Sequence, residues 1–553
     1  MLTPVSTWQT VGALGAGALF FICLTLILTK LKSLSLVIKL PLITLLILSA
    51  MLFAHFDLND NHKVRAISPR PHVAGAANSI ASGLYANEAF AQWLAQRRDR
   101  HRFAAPRKYP VYIVAVQGGG IYAAYHAATF LSSLQDLCPA FAHHLFAVSG
   151  VSGGSVGAAI FAALVSQFSD SKSADTSDSA CLSDAERTDQ NRSIGFYVGT
   201  SDEILKQDFL APLVAAALFP DFLQRFLFRP IPEFDRAVSL ERALEDALER
   251  ERTSKNATDW KGKQNILSLP FLDHWSPASN SPALLINTTE VGSGRRRIIS
   301  PFRFMRNDIL IFPLWNKKSQ APHLPARSNE DQAQSITLST AVMLSARFPW
   351  ITPAGWFYDE SLDGSDAEAG GENEGRRVKT RLVDGGYFEN SGVVTALDLL
   401  NEIELRLAAD GLSSQVEANI IVLTTSGYPK QSYYGFGDWA DPIRALLNTR
   451  AARSEIAIGE AEHLLNGDRD RPDKAPQAAD NEQPTPERLR KVQLRDMGYP
   501  LPLGWRLSDL TRMLIFAQNG VPSECVPDRR YLQTKPGRFD ADCVAEVVRR
   551  ELQ

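Results

Sequence analysis

Five cysteines in 553 residues are too few to staple a chain of this size, so a hydrophobic core must carry the fold. No Cys-x-x-Cys or His-Glu-x-x-His spacing occurs, which removes the common zinc signatures, and no Gly-Lys-Ser/Thr phosphate loop is present. A formal net charge of −3 without a long basic face gives no reason to expect nucleic acid as a partner. Histidine is scarce where a catalytic base would be sought. After residue 152 only His274, His323 and His463 remain, none of them in a strand-end setting.

Charge is absent altogether from the first 29 residues. Val11 to Thr29 is one uncharged apolar run and Leu40 to Phe56 a second, each near the 17–25 residues that a membrane helix needs. No Lys or Arg precedes the first run, which argues against a cleaved signal peptide. Residues 1–56 are therefore expected to form two transmembrane helices. Lys30, Lys32 and Lys39 in the connector lean toward the cytoplasm, which would place the remainder of the chain in a bacterial periplasm. Lys63, Arg65 and Arg70 pull the other way. Cys23 lies in the membrane run. Of the other four cysteines, Cys525 and Cys543 flank a Pro- and Gly-containing loop where a local disulfide would suit an oxidising compartment, and four plain thiols are the alternative.

Residues 57–108 read as a linker or juxtamembrane segment, with an amphipathic helix around Ala86 to Arg98. The basic stretch from Arg97 to Lys108 reads either as a solvated face or as a headgroup anchor. The core begins at the β-branched run Val111 to Val116, as expected of a buried parallel strand. It ends in Gln117-Gly118-Gly119-Gly120, and Ile121 to Leu137 is helix-like. Leu145 to Val148 forms the next strand, followed by Gly150-Val151-Ser152-Gly153-Gly154 and a helix of small residues from Ser155 to Val165. Strand–helix–strand–helix in succession implies an α/β sheet.

Polar insertions are expected near 167–192 and 361–377, and a charged linker near 467–488. Asp208 to Phe228 is apolar but broken by Pro212 and Pro220, and reads as a wall or lid for a lipid chain or as a core helix pair. Phe234 to Arg250 is amphipathic. Further on, Arg381-Leu382-Val383 runs into Asp384-Gly385-Gly386, a helix follows from about Val393, and Asn419 to Thr424 is another buried strand.

Gly-x-Ser-x-Gly between a strand and a helix describes a nucleophile elbow, with Gly150 and Gly154 removing the Cβ atoms that would clash in so sharp a turn. Gly118, Gly119 and Gly120 can bring backbone N–H groups close to a developing oxyanion. Gly118-x-Gly120-x-x-Ala123 with Asp136 also approximates a dinucleotide fingerprint, but that reading does not account for a serine turn on the very next strand. Asp384, in a glycine-flanked turn, is a carboxylate able to approach a hydroxyl directly.

In this order, these three turns resemble the patatin-like phospholipase family over roughly Tyr109 to Ser426. The resemblance implies a three-layer αβα sandwich with a mainly parallel sheet, with 109–426 as the catalytic domain; the membrane hairpin before it and 427–553, which reads as a mostly helical extension, lie outside the resemblance. It implies lipid ester hydrolysis at a membrane by a Ser–Asp dyad: Ser152 as nucleophile, Asp384 as base, and Gly118, Gly119 and Gly120 with Gly153 as oxyanion donors. Gly150, Gly154, Gly385 and Gly386 shape the turns. No cofactor or metal is implied, and the substrate is a lipid. Asn287-Thr288-Thr289 and the run Ser339 to Pro349 are secondary echoes. The chain departs from the family at Tyr122-Ala123, where a basic residue and glycine are usual. Two other readings remain: a non-catalytic lipid-binding or scaffold protein with this fold, and a Ser-His-Asp esterase using His463.

Overall fold

The computed structural model describes residues 4–67, 83–103, 105–168, 180–182, 195–254, 260, 264–306, 308–314, 335–348, 351–359, 378–425, 441–467, 487–494, 504–519 and 540–553. Most of the expected insertions near 167–192, 361–377 and 467–488 lie outside these residues, as do His323 and Cys525, so the Cys525–Cys543 pairing is not addressed.

Two helices lead, α1 (Pro4–Ile38) and α2 (Leu42–His55), and α3 (Ala86–Ala95) follows. The first α/β units are β1 (Tyr109–Val116), α4 (Ile121–Leu137), β2 (Leu145–Val151) and α5 (Gly153–Phe168). Next come α6 (Phe196–Leu205), α7 (Leu210–Leu218), α8 (Pro220–Gln224) and α9 (Arg236–Thr253), then β3 (Ala283–Glu290), β4 (Arg296–Ile299), β5 (Leu310–Ile311) and α10 (Leu338–Ser345). Finally β6 (Gly355–Asp359), β7 (Val378–Asp384), α11 (Val393–Ala409) and β8 (Val416–Thr424) precede α12 (Asp441–Asn466), β9 (Leu489–Gln493), α13 (Asp509–Asn519) and α14 (Asp540–Leu552).

Among the described residues the strands form one nine-stranded sheet in the order β5-β4-β3-β2-β1-β8-β9, with β7 also on β3 and β6 on β7. Neighbours from β3 through β9 along this order are parallel. Helices cover both faces. Along β1, Tyr112, Val114 and Val116 join the core on the α4–α5 side, whereas Val111, Ile113 and Ala115 join the one beneath α3 and α11. That period of two on a strand buried on both sides is why the sequence reads as a continuous apolar run.

Within this mainly parallel sheet β7 is antiparallel to β3, and Asp384 is its last residue. The region beyond Ser426 adds to the same sheet: β9 pairs with β8 in register from Ile420↔Leu489 to Thr424↔Gln493, and Asn519 on α13 hydrogen-bonds His126 on α4.

The two leading helices, expected to span a membrane together, are uneven. α1 runs straight through Lys30 and Lys32 to Ile38, and its stretch Gly17–Ile38 is long and apolar enough to cross a bilayer. α2 has 14 residues, about 21 Å at 1.5 Å per residue, short of a hydrocarbon core of about 30 Å. The chain from Asp57 is no loose linker either. Asn59, Asn61, His62 and Val64 are buried, and Arg65 reaches Glu241 on α9 at 3.0 Å and the hydroxyls of Thr337, Ser339 and Thr340. Asp60 accepts from Lys379 and Arg381 on β7. Burial alone would raise its pKa, but those two cations hold it below the ordinary value. Arg97 is no headgroup anchor: it is buried against His143 and the carbonyls of Pro277 and Ser279.

Cys138, at the end of α4, forms a disulfide with Cys181, a pairing that neither of the sequence readings singled out. Replacing either cysteine with serine is expected to lower stability by about 2–4 kcal/mol, read by denaturant unfolding with and without reductant. A second prediction concerns acid. Burial depresses both His126 and His274 to about 4 from 6.5. Each therefore stays neutral in the fold but takes up a proton when unfolded, so its stabilising share is complete above pH 6.5 and is lost as pH falls toward 4. Unfolding free energy should drop across that window, and His274→Gln should remove part of the slope.

Candidate active site

β2 ends at Val151, paired with Asn287 of β3, and the next residue of β3, Thr288, is paired with Asp384, the last residue of β7. β2 and β7 thus approach along the same edge of β3 from opposite directions and meet end to end. Ser152 leaves one strand tip where Asp384 closes the other, so residues 232 apart in sequence become neighbours. Ser152 Oγ donates to Asp384 Oδ2 at 2.6 Å, with both side chains buried.

Ser152 holds φ +53°, a left-handed conformation that costs a non-glycine residue about 1–3 kcal/mol. The surroundings impose it. Ser152 N–H donates to Ser345 Oγ at 2.8 Å, Ser345 Oγ donates to the carbonyl of Asn287 at 2.6 Å, and Ser155 N–H returns to the Ser152 carbonyl. Gly150 and Gly154 are needed for space: a Cβ at Gly150 would meet Ser155 Cα at 2.7 Å, and one at Gly154 the carbonyls of Val116 and Gln117 at 2.7 Å. Gly153 is tighter still, with the Gly120 carbonyl 1.8 Å from where its Cβ would stand. The elbow and the glycine turn are therefore pressed together backbone to backbone.

Asp384 is held at its other oxygen. Oδ1 accepts from Gly386 N–H at 2.8 Å and lies 3.6 Å from the Arg450 guanidinium. Arg450 also donates to Asn390 Oδ1, whose amide donates to the Gly118 carbonyl, and the Asn390 carbonyl accepts from Gly118 N–H at 2.9 Å. This corrects one expected role. The Gly118 N–H is spent on Asn390, so it anchors the turn and does not face an oxyanion. Gly119, Gly120 and Gly153 carry the remaining expected donors, and Gly153, at the first position of α5, has an N–H without an intrahelical acceptor. A Cβ at Gly385 would strike the Asn287 carbonyl at 2.2 Å, and one at Gly386 would strike Arg450 at 2.3 Å, so neither turn glycine can be replaced without movement.

Ser345, Asn390 and Arg450 are the site residues that sequence reasoning did not name. Ser345 lies inside the Ser339–Pro349 echo and Asn390 six residues after Asp384. Arg450 carries no signal, being one of several charged residues on a long helix. Other candidates have structural employment. Asp136 accepts from the N–H groups of Tyr197 and Val198 at the start of α6, and burial raises it to about 6, so the ribose-contact reading has no place. His274 is fully buried between the Phe271 carbonyl and Leu284 N–H. His463 sits on α12, and the group that Ser152 Oγ bonds to is Asp384.

A hydroxyl bonded to a carboxylate, at the head of a helix and beside a glycine turn, can take part in acyl transfer: the carboxylate accepts a proton while backbone N–H groups meet the developing charge. Comparison with known proteins agrees in kind. No curated protein matches the chain at a significant level. The profile of the patatin-like phospholipase family does match, over residues 114–397, just over half of the chain, spanning the glycine turn, the elbow and the Asp384 turn. The chain belongs to the patatin-like phospholipase family.

Proposed function

We propose that the protein is a membrane-anchored lipid acyl hydrolase working through a Ser152–Asp384 dyad. The observation that supports this most directly is the 2.6 Å bond from Ser152 Oγ to Asp384 Oδ2 at the junction of β2 and β7. Ser152 Oγ attacks the ester carbonyl carbon as its proton passes to Asp384. The carbonyl oxygen, now negative, is met by the N–H groups of Gly119, Gly120 and Gly153. Collapse expels the alcohol, which leaves with the proton from Asp384. Water then attacks the acyl-serine, gives a proton to Asp384, and releases the fatty acid as Ser152 is reprotonated. Arg450 holds Asp384 Oδ1 in place and leaves Oδ2 to the serine.

The α1–α2 hairpin anchors the domain, with Lys30 and Lys32 on the C-terminal part of α1 and Lys39 in the connector leaning toward the cytoplasmic side. The catalytic domain then faces an oxidising compartment, a placement that the Cys138–Cys181 disulfide favours.

Detergent-solubilised protein is expected to hydrolyse short and long acyl esters and to react with a fluorophosphonate probe at Ser152. Ser152→Ala and Asp384→Asn should each lower turnover by at least about a thousandfold without unfolding the protein. His463→Ala should leave turnover unchanged, and loss of activity there would favour a Ser-His-Asp triad instead. Absence of both turnover and labelling in the wild type would move the lipid-binding scaffold ahead. Arg450→Ala is expected to lower kcat about tenfold or more with KM of a short neutral ester little changed, and Arg450→Lys should recover part of the loss.

A further inference from the structure

The apolar segment from Leu210 to Phe228 takes no part in the site just described, yet its construction is unusual for a soluble surface. α7 packs along α1, and Phe219 and Phe222 set their rings edge-on against Phe20 of α1, with centroids 5.7 and 5.2 Å away. Facing outward are Leu210, Leu223, Leu227 and Phe228, with Leu223 53% and Phe228 62% exposed.

The polar groups of this segment are turned the other way. Asp221 is buried and bonded to Arg225, Arg236 and Asn61, and Arg225 also meets His62. Gln224, completely buried, donates to the Arg229 carbonyl and accepts from Ile231 N–H. Phe226 and Leu227 donate their N–H groups to Leu223 and Gln224. A segment with apolar side chains outside, its carboxylate buried and paired, and its turn satisfied internally is built for a medium with few hydrogen-bonding partners.

The depth of this segment follows from chain arithmetic. α2 turns back along α1 after a three-residue connector, and its 14 residues return the chain to about the level of Leu24. Phe20 lies only four residues beyond, roughly 6 Å, and still inside the Gly17–Ile38 stretch. Asn59, just past the end of α2, donates to the Arg225 carbonyl at 2.9 Å, which ties α8 to the same level.

We propose that α7, α8 and the turn through Phe228 form a shelf immersed in the rim of the bilayer beside α1, with the acyl chains of the phospholipid leaflet as its occupant. This rests on the anchoring part of the reading above and is independent of the dyad. Arg229, exposed next to Phe228, then stands at headgroup height. The continuous apolar surface from α1 to Phe228 brings lipid against the same domain that carries Ser152.

The test uses full-length protein in phosphatidylcholine vesicles brominated on the acyl chains, comparing wild type with Leu223→Trp, Phe228→Trp and Leu26→Trp. The added fluorescence of the shelf tryptophans should be largely lost to bromines placed near the headgroup and spared by aqueous iodide, while Leu26→Trp should be quenched best by deep bromines. Quenching of the shelf tryptophans by iodide and not by bromolipid overturns the proposal. So does protection from both quenchers, which would mean that a second copy or another protein covers the face. If Leu26→Trp escapes bromolipid as well, the anchor reading falls together with the shelf. A catalytically dead chain gives the same spectra, so failure of the dyad and failure of the shelf are read separately.

Discussion

The constraint on which the rest depends is the end-to-end meeting of β2 and β7 on β3. A serine hydroxyl and a carboxylate can exchange a proton directly only within hydrogen-bond reach, and a flexible pair would spend most of its time apart. Here Val151↔Asn287 and Thr288↔Asp384 are adjacent pairings on one strand, so the sheet ladder itself sets the separation. Ser345 and Asn287 then hold Ser152 in its left-handed turn, and Gly386 N–H holds the far oxygen of Asp384. The strain stored at Ser152 is offset by bonds from three separate elements.

Around that junction the fold builds outward in tied layers. Asn390 joins the Asp384 loop to the glycine turn by two bonds to Gly118, and Gly392, at φ +75°, accepts from Ser149 Oγ on β2. Arg450 brings in α12, from beyond the segment that the family profile covers. The strap from Asn59 to Arg65 does the corresponding work beside α2, linking it to α8, α9 and β7 through a bond to the Arg225 carbonyl and partly buried ion pairs. A buried charge with its partner removed is strongly destabilising, so these pairs fix the orientation of the strap more than they add net stability. The two leading helices and the sheet that carries Ser152 are consequently parts of one tied body.

Much of this was legible in the chain. The run Val111 to Val116, the helix Ile121 to Leu137, the elbow around Ser152 and the strand Asn419 to Thr424 all lie where local pattern placed them, because a fully buried strand, a helix or a glycine-flanked turn is written in its own residues whichever partner covers it. What failed did so where a residue's partner is distant. Arg97 looked like part of a basic surface and is buried, since its carbonyl and histidine partners lie up to 182 residues away. The Cys138–Cys181 pairing joins residues separated by 43 positions, partly across an insertion with no internal pattern.

By itself the sequence determined the chemistry available: a glycine-flanked serine, a glycine turn, an Asp-Gly-Gly turn, and an uncharged apolar start. Those are local properties, written in spacing and in the absence of Cβ atoms. The tertiary structure alone decided how they are used. It made β7 antiparallel, turned the Gly118 N–H toward Asn390, recruited Arg450, and faced Asp221 of α8 inward. Each of these is settled by hydrogen-bond partners remote in the chain, and sequence spacing carries no information about which distant carbonyl a buried N–H will find.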